Sequence, residues 1–163
     1  MRQICLQRRK KNRLPEYDYS SVGAYFITIC VKERKNLLGE IKTTVDSHHI
    51  HTEQEIAQVE LSDIGNIVEK YIKRISGLDK YVIMPNHIHM VIIISGEENE
   101  GKTYSISQHV LTLKTLIAKE VGSSLFQRSF HDHIIRNEQE YERIWDYIDQ
   151  NPQNWALDRF YQK

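Results

Sequence analysis

LDKYVIMPNHIHMVIIIS, residues 78–95, is the stretch whose reading decides the fold. Two runs rich in β-branched residues flank Pro85–Asn86, so the segment reads as two strands separated by a turn or bulge. Successive side chains of a strand point to opposite faces. His87 and His89 therefore share one face, and Ile88, Met90 and Ile92 the other. Two imidazoles on so apolar a strand lose hydration and need either hydrogen-bond partners or a metal ion. The spacing alone fits a satisfied pair of core histidines as well as it fits a pair of ligands.

Upstream, GAYFITICVKERK (23–35) reads as a strand, and LLGEI (37–41) could pair with it as a hairpin arm. TTVDSHHIHTEQE (43–55) is polar and without a sustained period, which predicts a loop. From Leu61 to Ile75 apolar residues recur at steps of three and four, an amphipathic helix that Gly77 is placed to end. Downstream, GEENEGK (96–102) is a polar loop, and Ser105 or Ser107 caps a helix running to about Val121. SFHDHIIR (129–136) is a short strand, and Glu138 to about Asn151 forms the last helix, stopped by Pro152. The order β(β)αββαβα contains a βαββαβ kernel. The expected class is therefore α+β: a ferredoxin-like antiparallel sheet with helices on one face and a C-terminal helix carrying tyrosines. The other face is left to host a site.

A chain of 163 residues fits one domain, read as 23–152, with a basic arm at 1–22 and a tail at 153–163. No apolar run approaches the ~20 residues of a membrane span. The opening MRQICLQRRKKNR lacks a signal-peptide stretch, and Cys5 and Cys30 form no disulfide or zinc pattern, so a reduced, cytoplasmic protein without membrane association is expected. The net charge of zero conceals an asymmetry. Residues 1–13 hold six of the 22 basic side chains, Arg2, Arg8, Arg9, Lys10, Lys11 and Arg13, and none of the 22 acidic ones. Such an arm reads as a solvated tail or as a phosphate-binding segment, with Arg8, Arg9, Lys10, Lys11 and Arg13 as the candidate nucleic-acid contacts.

Two further H-x-H spacings occur. His49 and His51 lie in the polar loop, where nothing fixes their directions, and read as solvent-exposed. His131 and His133 lie on a strand without an obvious third ligand, which suggests a structural or substrate-orienting role. Among nine tyrosines, Tyr147 stands out because Asn151 lies four residues on, hence beside it on one helix face. A phenol beside a carboxamide suits a nucleophile next to a metal; it equally suits an amphipathic residue bordering the Ile144–Ile148 apolar face. Tyr141 has Trp145 at that spacing and is the second candidate.

MPNHIHMVIII followed some sixty residues on by YIDQNP resembles the HUH tyrosine transposases of the IS200-like type, and most of all the REP-associated tyrosine transposase branch. The likeness extends through LPEYDYSSVGAYFITICVKERKNLLGEI and FHDHIIRNEQEYERIWDYIDQNPQNWALD, and so covers most of the chain apart from 43–55 and 96–104. It implies that His87 and His89 are metal ligands and Tyr147 the nucleophile. It also places Asn151 as third ligand, where related enzymes commonly have the longer Gln. The implied function is a metal-dependent single-strand DNA transesterase, cutting and rejoining near hairpins through a 5′-phosphotyrosine with Mg²⁺ or Mn²⁺. Single-stranded or hairpin DNA is the expected partner, and the protein is a monomer or a homodimer. Three alternatives are a domesticated hairpin-binding protein that does not cut, a phosphodiesterase that uses water, and a structural metal-binding or interaction domain with no preference for single strands. Tyr17, Tyr19 and Trp155 are candidates for stacking on bases.

Overall fold

A computed structural model describes residues 21–46, 54–95 and 104–161. Strands β1 (Gly23–Cys30), β4 (Leu78–Met84), β5 (His87–Ile94) and β6 (His131–Ile135) form one antiparallel sheet in the order β4-β5-β1-β6. That is the ferredoxin-like order. Helices α1 (Asp63–Ile72) and α2 (Ile106–Val121) provide the two crossovers.

The alternation expected of 78–95 is realised. Ile88, Met90 and Ile92 of β5, with Tyr25, Ile27 and Ile29 of β1, are fully buried in the cluster that includes Val68 and Ile72 of α1 and Val110, Leu113 and Ile117 of α2. Each such side chain contributes about 1.5–3 kcal/mol when removed from water. His87, His89, Thr28 and Phe26 point the other way, onto the face crossed by α3 (Glu138–Gln150). The sheet thus has an apolar face against α1 and α2 and a second face, with the histidines, beneath α3.

Local signals match most element ends. Ser105 caps α2 in a reciprocal capping box with Gln108, and Asn137 Oδ1 accepts from Glu140 N at the start of α3. Pro152 follows the last turn of α3, whose C-cap is Asn151. Gly77 sits at φ +71° with Ile93 O only 2.0 Å from where a Cβ would be, so only glycine allows the chain to enter β4 there.

Two expectations are corrected. Residues 37–41 do not extend a hairpin with β1, and 43–55 is not all loop. Instead β2 (Gly39–Asp46) and β3 (Gln54–Leu61) pair with each other in a separate two-stranded ribbon inserted between β1 and α1. Polar residues such as Glu40, Lys42, Gln58 and Glu60 dominate the ribbon, while Ile41 and Val59 pack beneath it against Met84 and Trp155. The predicted helix start at Leu61 is also displaced: Leu61 ends β3, Ser62 is the N-cap, and α1 stops at Ile72. Among the described residues no helix is long and apolar enough to cross a membrane.

Candidate active site

The site begins with the central strands. Cys30 and Thr28 of β1 lie directly opposite His87 and His89 of β5, and Met84 and Val82 flank the same histidines from β4. Both imidazoles are almost wholly buried, and their Nε2 atoms stand 3.0 Å apart.

The other ring nitrogens decide what those Nε2 atoms can do. Asn86 Nδ2 donates to the carbonyls of Phe160 (2.8 Å) and Arg34 (3.1 Å), so its Oδ1 must face His87 Nδ1 at 2.9 Å. A carbonyl oxygen only accepts, so the His87 proton sits on Nδ1 and its Nε2 lone pair is free. His89 Nδ1 is 2.8 Å from the Thr28 hydroxyl, which can accept its proton in turn. This is the arrangement that orients metal-binding histidines. Burial pushes His87 down to about 4 and His89 well below its ordinary value, so both rings are neutral and available as ligands at pH 7.

The support for Asn86 carries a cost. Glu33 and Arg34 adopt φ of 55° and 52°, left-handed values that cost side chains of this kind about 1 kcal/mol or more each. The strained pair delivers the Arg34 carbonyl to the buried Asn86 amide.

Tyr147 comes from α3 in the same chain. Its hydroxyl lies 3.2 Å from His89 Nε2 and 3.4 Å from Asp158 Oδ2, and its ring is half-exposed above Phe26 and His89. Burial first, then the Asp158 carboxylate, raises the phenol above its ordinary pKa. Tyr141 is held elsewhere, donating to Asp79 Oδ2 at 2.6 Å beside Trp145.

Asn151 is buried, and its Nδ2 donates to Asp158 Oδ2 at 3.3 Å. Its Oδ1 is buried with no hydrogen-bond partner among the described residues. Asp158 is a site residue that sequence reasoning misses. Its Oδ1 accepts from Phe160 N at 2.6 Å, and its carboxylate lies with His87 and His89 in a group whose ligand atoms fall within 4.8 Å of one another. The only sequence signal for it is its place in the YIDQNPQNWALD stretch. The site thus extends past residue 152. Phe160 lies on His87, with ring centroids 4.5 Å apart, and the Arg34 and Arg159 guanidiniums lie 4.9 and 4.6 Å from the centre of the Phe160 ring.

These donors fit a divalent ion. Two Nε2 atoms 3.0 Å apart are at hydrogen-bond distance, which is also about the separation of adjacent donors on an octahedral ion with ~2.1 Å bonds. The Asp158 carboxylate makes this a mixed nitrogen–oxygen set, of the kind that suits Mn²⁺ and admits Mg²⁺, and the Asn151 Oδ1 is a further buried oxygen without a hydrogen-bond partner among the described residues.

The chain is 32% identical to an uncharacterized protein of Haemophilus influenzae over 183 aligned positions, covering 96% of this chain and 94% of that protein. It belongs to that protein's family. No protein-family model matches it. Among solved structures it is similar to a REP-associated tyrosine transposase bound to a REP hairpin, with a TM-score of 0.55 and 21% identity over 90% of this chain and 77% of the other. At that identity the likeness establishes the shared transposase-like fold.

The remaining sequence candidates of this family member fall in three places. His131 and His133 share the sheet face of His87 and His89, opposite Thr28 and Phe26, with His133 Nε2 2.7 Å from Glu140 Oε1. Trp155 is buried, its ring 5.9 Å from that of His87. Arg8, Arg9, Lys10, Lys11, Arg13, Tyr17, Tyr19, His49 and His51 lie outside the described residues.

Proposed function

We propose that this protein is a single-strand DNA transesterase that cuts and rejoins strands near hairpins, with Tyr147 as nucleophile. The observation that carries the reading is the 3.2 Å approach of Tyr147 Oη to His89 Nε2, beside a histidine pair whose Nε2 atoms stand 3.0 Å apart. The fold shared with a transposase bound to a REP hairpin supports the DNA substrate.

His87, His89, Asn151 and Asp158 would hold a divalent ion, Mg²⁺ or Mn²⁺, which when bound supplies positive charge to the scissile phosphate and eases formation of tyrosinate. The chain's own groups do the rest. With a phenol pKa of ~10, only on the order of 0.1% of an ordinary tyrosine is ionised at pH 7, and burial lowers that further here. Asp158 Oδ2, 3.4 Å away, is the acceptor for the Tyr147 proton. Tyr147 Oη then attacks phosphorus, the P–O3′ bond breaks, and the 3′ oxygen leaves to become a hydroxyl by taking up a proton. One phosphodiester replaces another, so a 3′-hydroxyl can reverse the step and join a new end. Thr28 and Asn86 keep the imidazoles in register, Arg34 and Arg159 place positive charge beside the phosphate path, and Arg8, Arg9, Lys10, Lys11 and Arg13 add affinity that does not depend on sequence.

The test is a pool of hairpin-bearing single strands incubated with Mn²⁺ and scored for a covalent protein–DNA adduct on a denaturing gel. The wild type should form the adduct; Tyr147→Phe should bind equally and form none. An adduct with Tyr147→Phe would move the nucleophile elsewhere. Cleavage without an adduct would favour a water-using phosphodiesterase, and binding without cleavage a hairpin-binding protein.

A further inference from the structure

Beyond α3 the chain makes a short 3₁₀ turn, Trp155–Leu157, pinned by Leu157 N→Asn154 O and Asp158 N→Trp155 O bonds of 2.9 and 3.0 Å. Its anchors are Trp155 and Phe160, both packed with Cys30 and Met84 in a small apolar cluster. With three residues per turn, a side chain two positions beyond an inward-facing one is carried to the far side. Leu157 is accordingly 86% exposed, more than any other large apolar side chain of the described residues. A lone exposed leucine is ordinary. This one stands at a particular place: it lines a cavity of about 330 Å³ together with Tyr147, Asn151, Asp158 and Arg159.

Tyr147 is only half-exposed and lines the same cavity as Leu157. For a stacked strand laid across this cavity, bringing one phosphate down to the hydroxyl would require the two flanking bases to part. DNA-bending proteins obtain such kinks by inserting an apolar side chain between bases, which offsets an unstacking cost of a few kcal/mol. We propose that Leu157 is that wedge: it inserts between the two nucleobases flanking the scissile phosphate and kinks the strand so that the phosphate descends to Tyr147. Because the same turn carries Asp158 inward and Leu157 outward, the kink and the reacting groups are held in fixed relation. Leu157 is a positioning residue, and its role rests on the DNA-cleaving reading above.

The probe is a single-stranded 12-mer of alternating adenine and 2-aminopurine, whose emission is quenched by stacking. Every register presents an equivalent step to the wedge, so no knowledge of the target sequence is needed. Full-length protein is titrated in EDTA, with the bound fraction followed by anisotropy of a 5′-fluorescein copy. Wild type and Leu157→Met should raise 2-aminopurine emission at saturation, and Leu157→Ser should lose the rise at the same bound fraction. An equal rise with Leu157→Ser, or wild-type binding without any rise, overturns the wedge and leaves the DNA reading standing. Failure of the wild type to bind overturns both.

Discussion

Asn86→Ala removes a single buried side chain and strands three groups at once: His87 Nδ1–H and the carbonyls of Arg34 and Phe160. At about 1 kcal/mol net per hydrogen bond the loss is about 3 kcal/mol, a large share of the ~5–15 kcal/mol that stabilises a typical domain. With a urea dependence of about 2 kcal/mol per molar, the unfolding midpoint should fall by about 1.5 M. The freed His87 ring can also rotate or change tautomer, so Mn²⁺ affinity should weaken ~10–100-fold, the usual scale for losing a group that orients a ligand. Asn86→Asp keeps the acceptor for His87 but sets a second oxygen against two carbonyls, and should not restore either property. Urea titration followed by tryptophan emission and calorimetric Mn²⁺ titration measure the two effects. A midpoint within ~0.3 M of wild type, together with unchanged Mn²⁺ affinity, would refute the account of Asn86 as the brace of the histidine pair.

His87→Ala and His89→Ala should each abolish cleavage and the specific metal site, whereas Asn151→Ala should weaken metal affinity and rate ~10–100-fold and be rescued by high Mn²⁺; Mn²⁺ titration and adduct yield check the ranking. Asp158→Asn should reduce adduct formation while raising affinity for single strands, because it removes a negative charge beside the phosphate path; unchanged adduct yield would dismiss Asp158 as proton acceptor. In metal-free protein, burial holds His87 at about 4 while the unfolded chain takes up its proton near 6.5. The unfolded state therefore binds more protons below pH 6.5, and His87 should cost stability at about 1.4 kcal/mol per pH unit as pH falls from there towards 4. His87→Gln should flatten that slope in EDTA, and an identical slope in both proteins would contradict it. Deleting residues 1–13 should weaken binding to all single strands alike and lower the salt slope by ~0.7 for each phosphate that the arm no longer neutralises.

The parts legible in the sequence were those written in short-range patterns. The β4–β5 pair could be read because Ile88, Met90 and Ile92 alternate with His87, Val91 and the rest, and burial enforces that alternation on both faces. Helix ends were readable where a side chain caps or a proline stops the helix, as at Ser105 and Pro152. The β2–β3 ribbon was hidden because its outer face is solvated, so Glu40, Lys42, Gln58 and Glu60 gave it the polarity of a loop. Within the site, strand alternation put His87 beside His89 and helix spacing put Tyr147 beside Asn151, whereas the approach of Tyr147 to His89 is a tertiary contact. Asp158 has no periodic neighbour and gains its position only through the tertiary anchoring of Trp155 and Phe160. Asn86 looked like a turn residue, and its role depends on carbonyls 52 and 74 residues away in the chain.

The route of the chain through the site sets when it can first act. Thr28 comes from the first strand of the sheet and the histidines from the middle of the polypeptide, but Tyr147, Asn151 and Asp158 follow the last strand. Domains are made N-terminus first, so a nascent chain carries its imidazoles before it carries Tyr147, the proposed nucleophile. On the proposed chemistry, a copy interrupted by a stop codon before residue 147 would keep the histidine pair and lose the tyrosine that is to attack the phosphate, so it could hold a metal ion without cutting a strand.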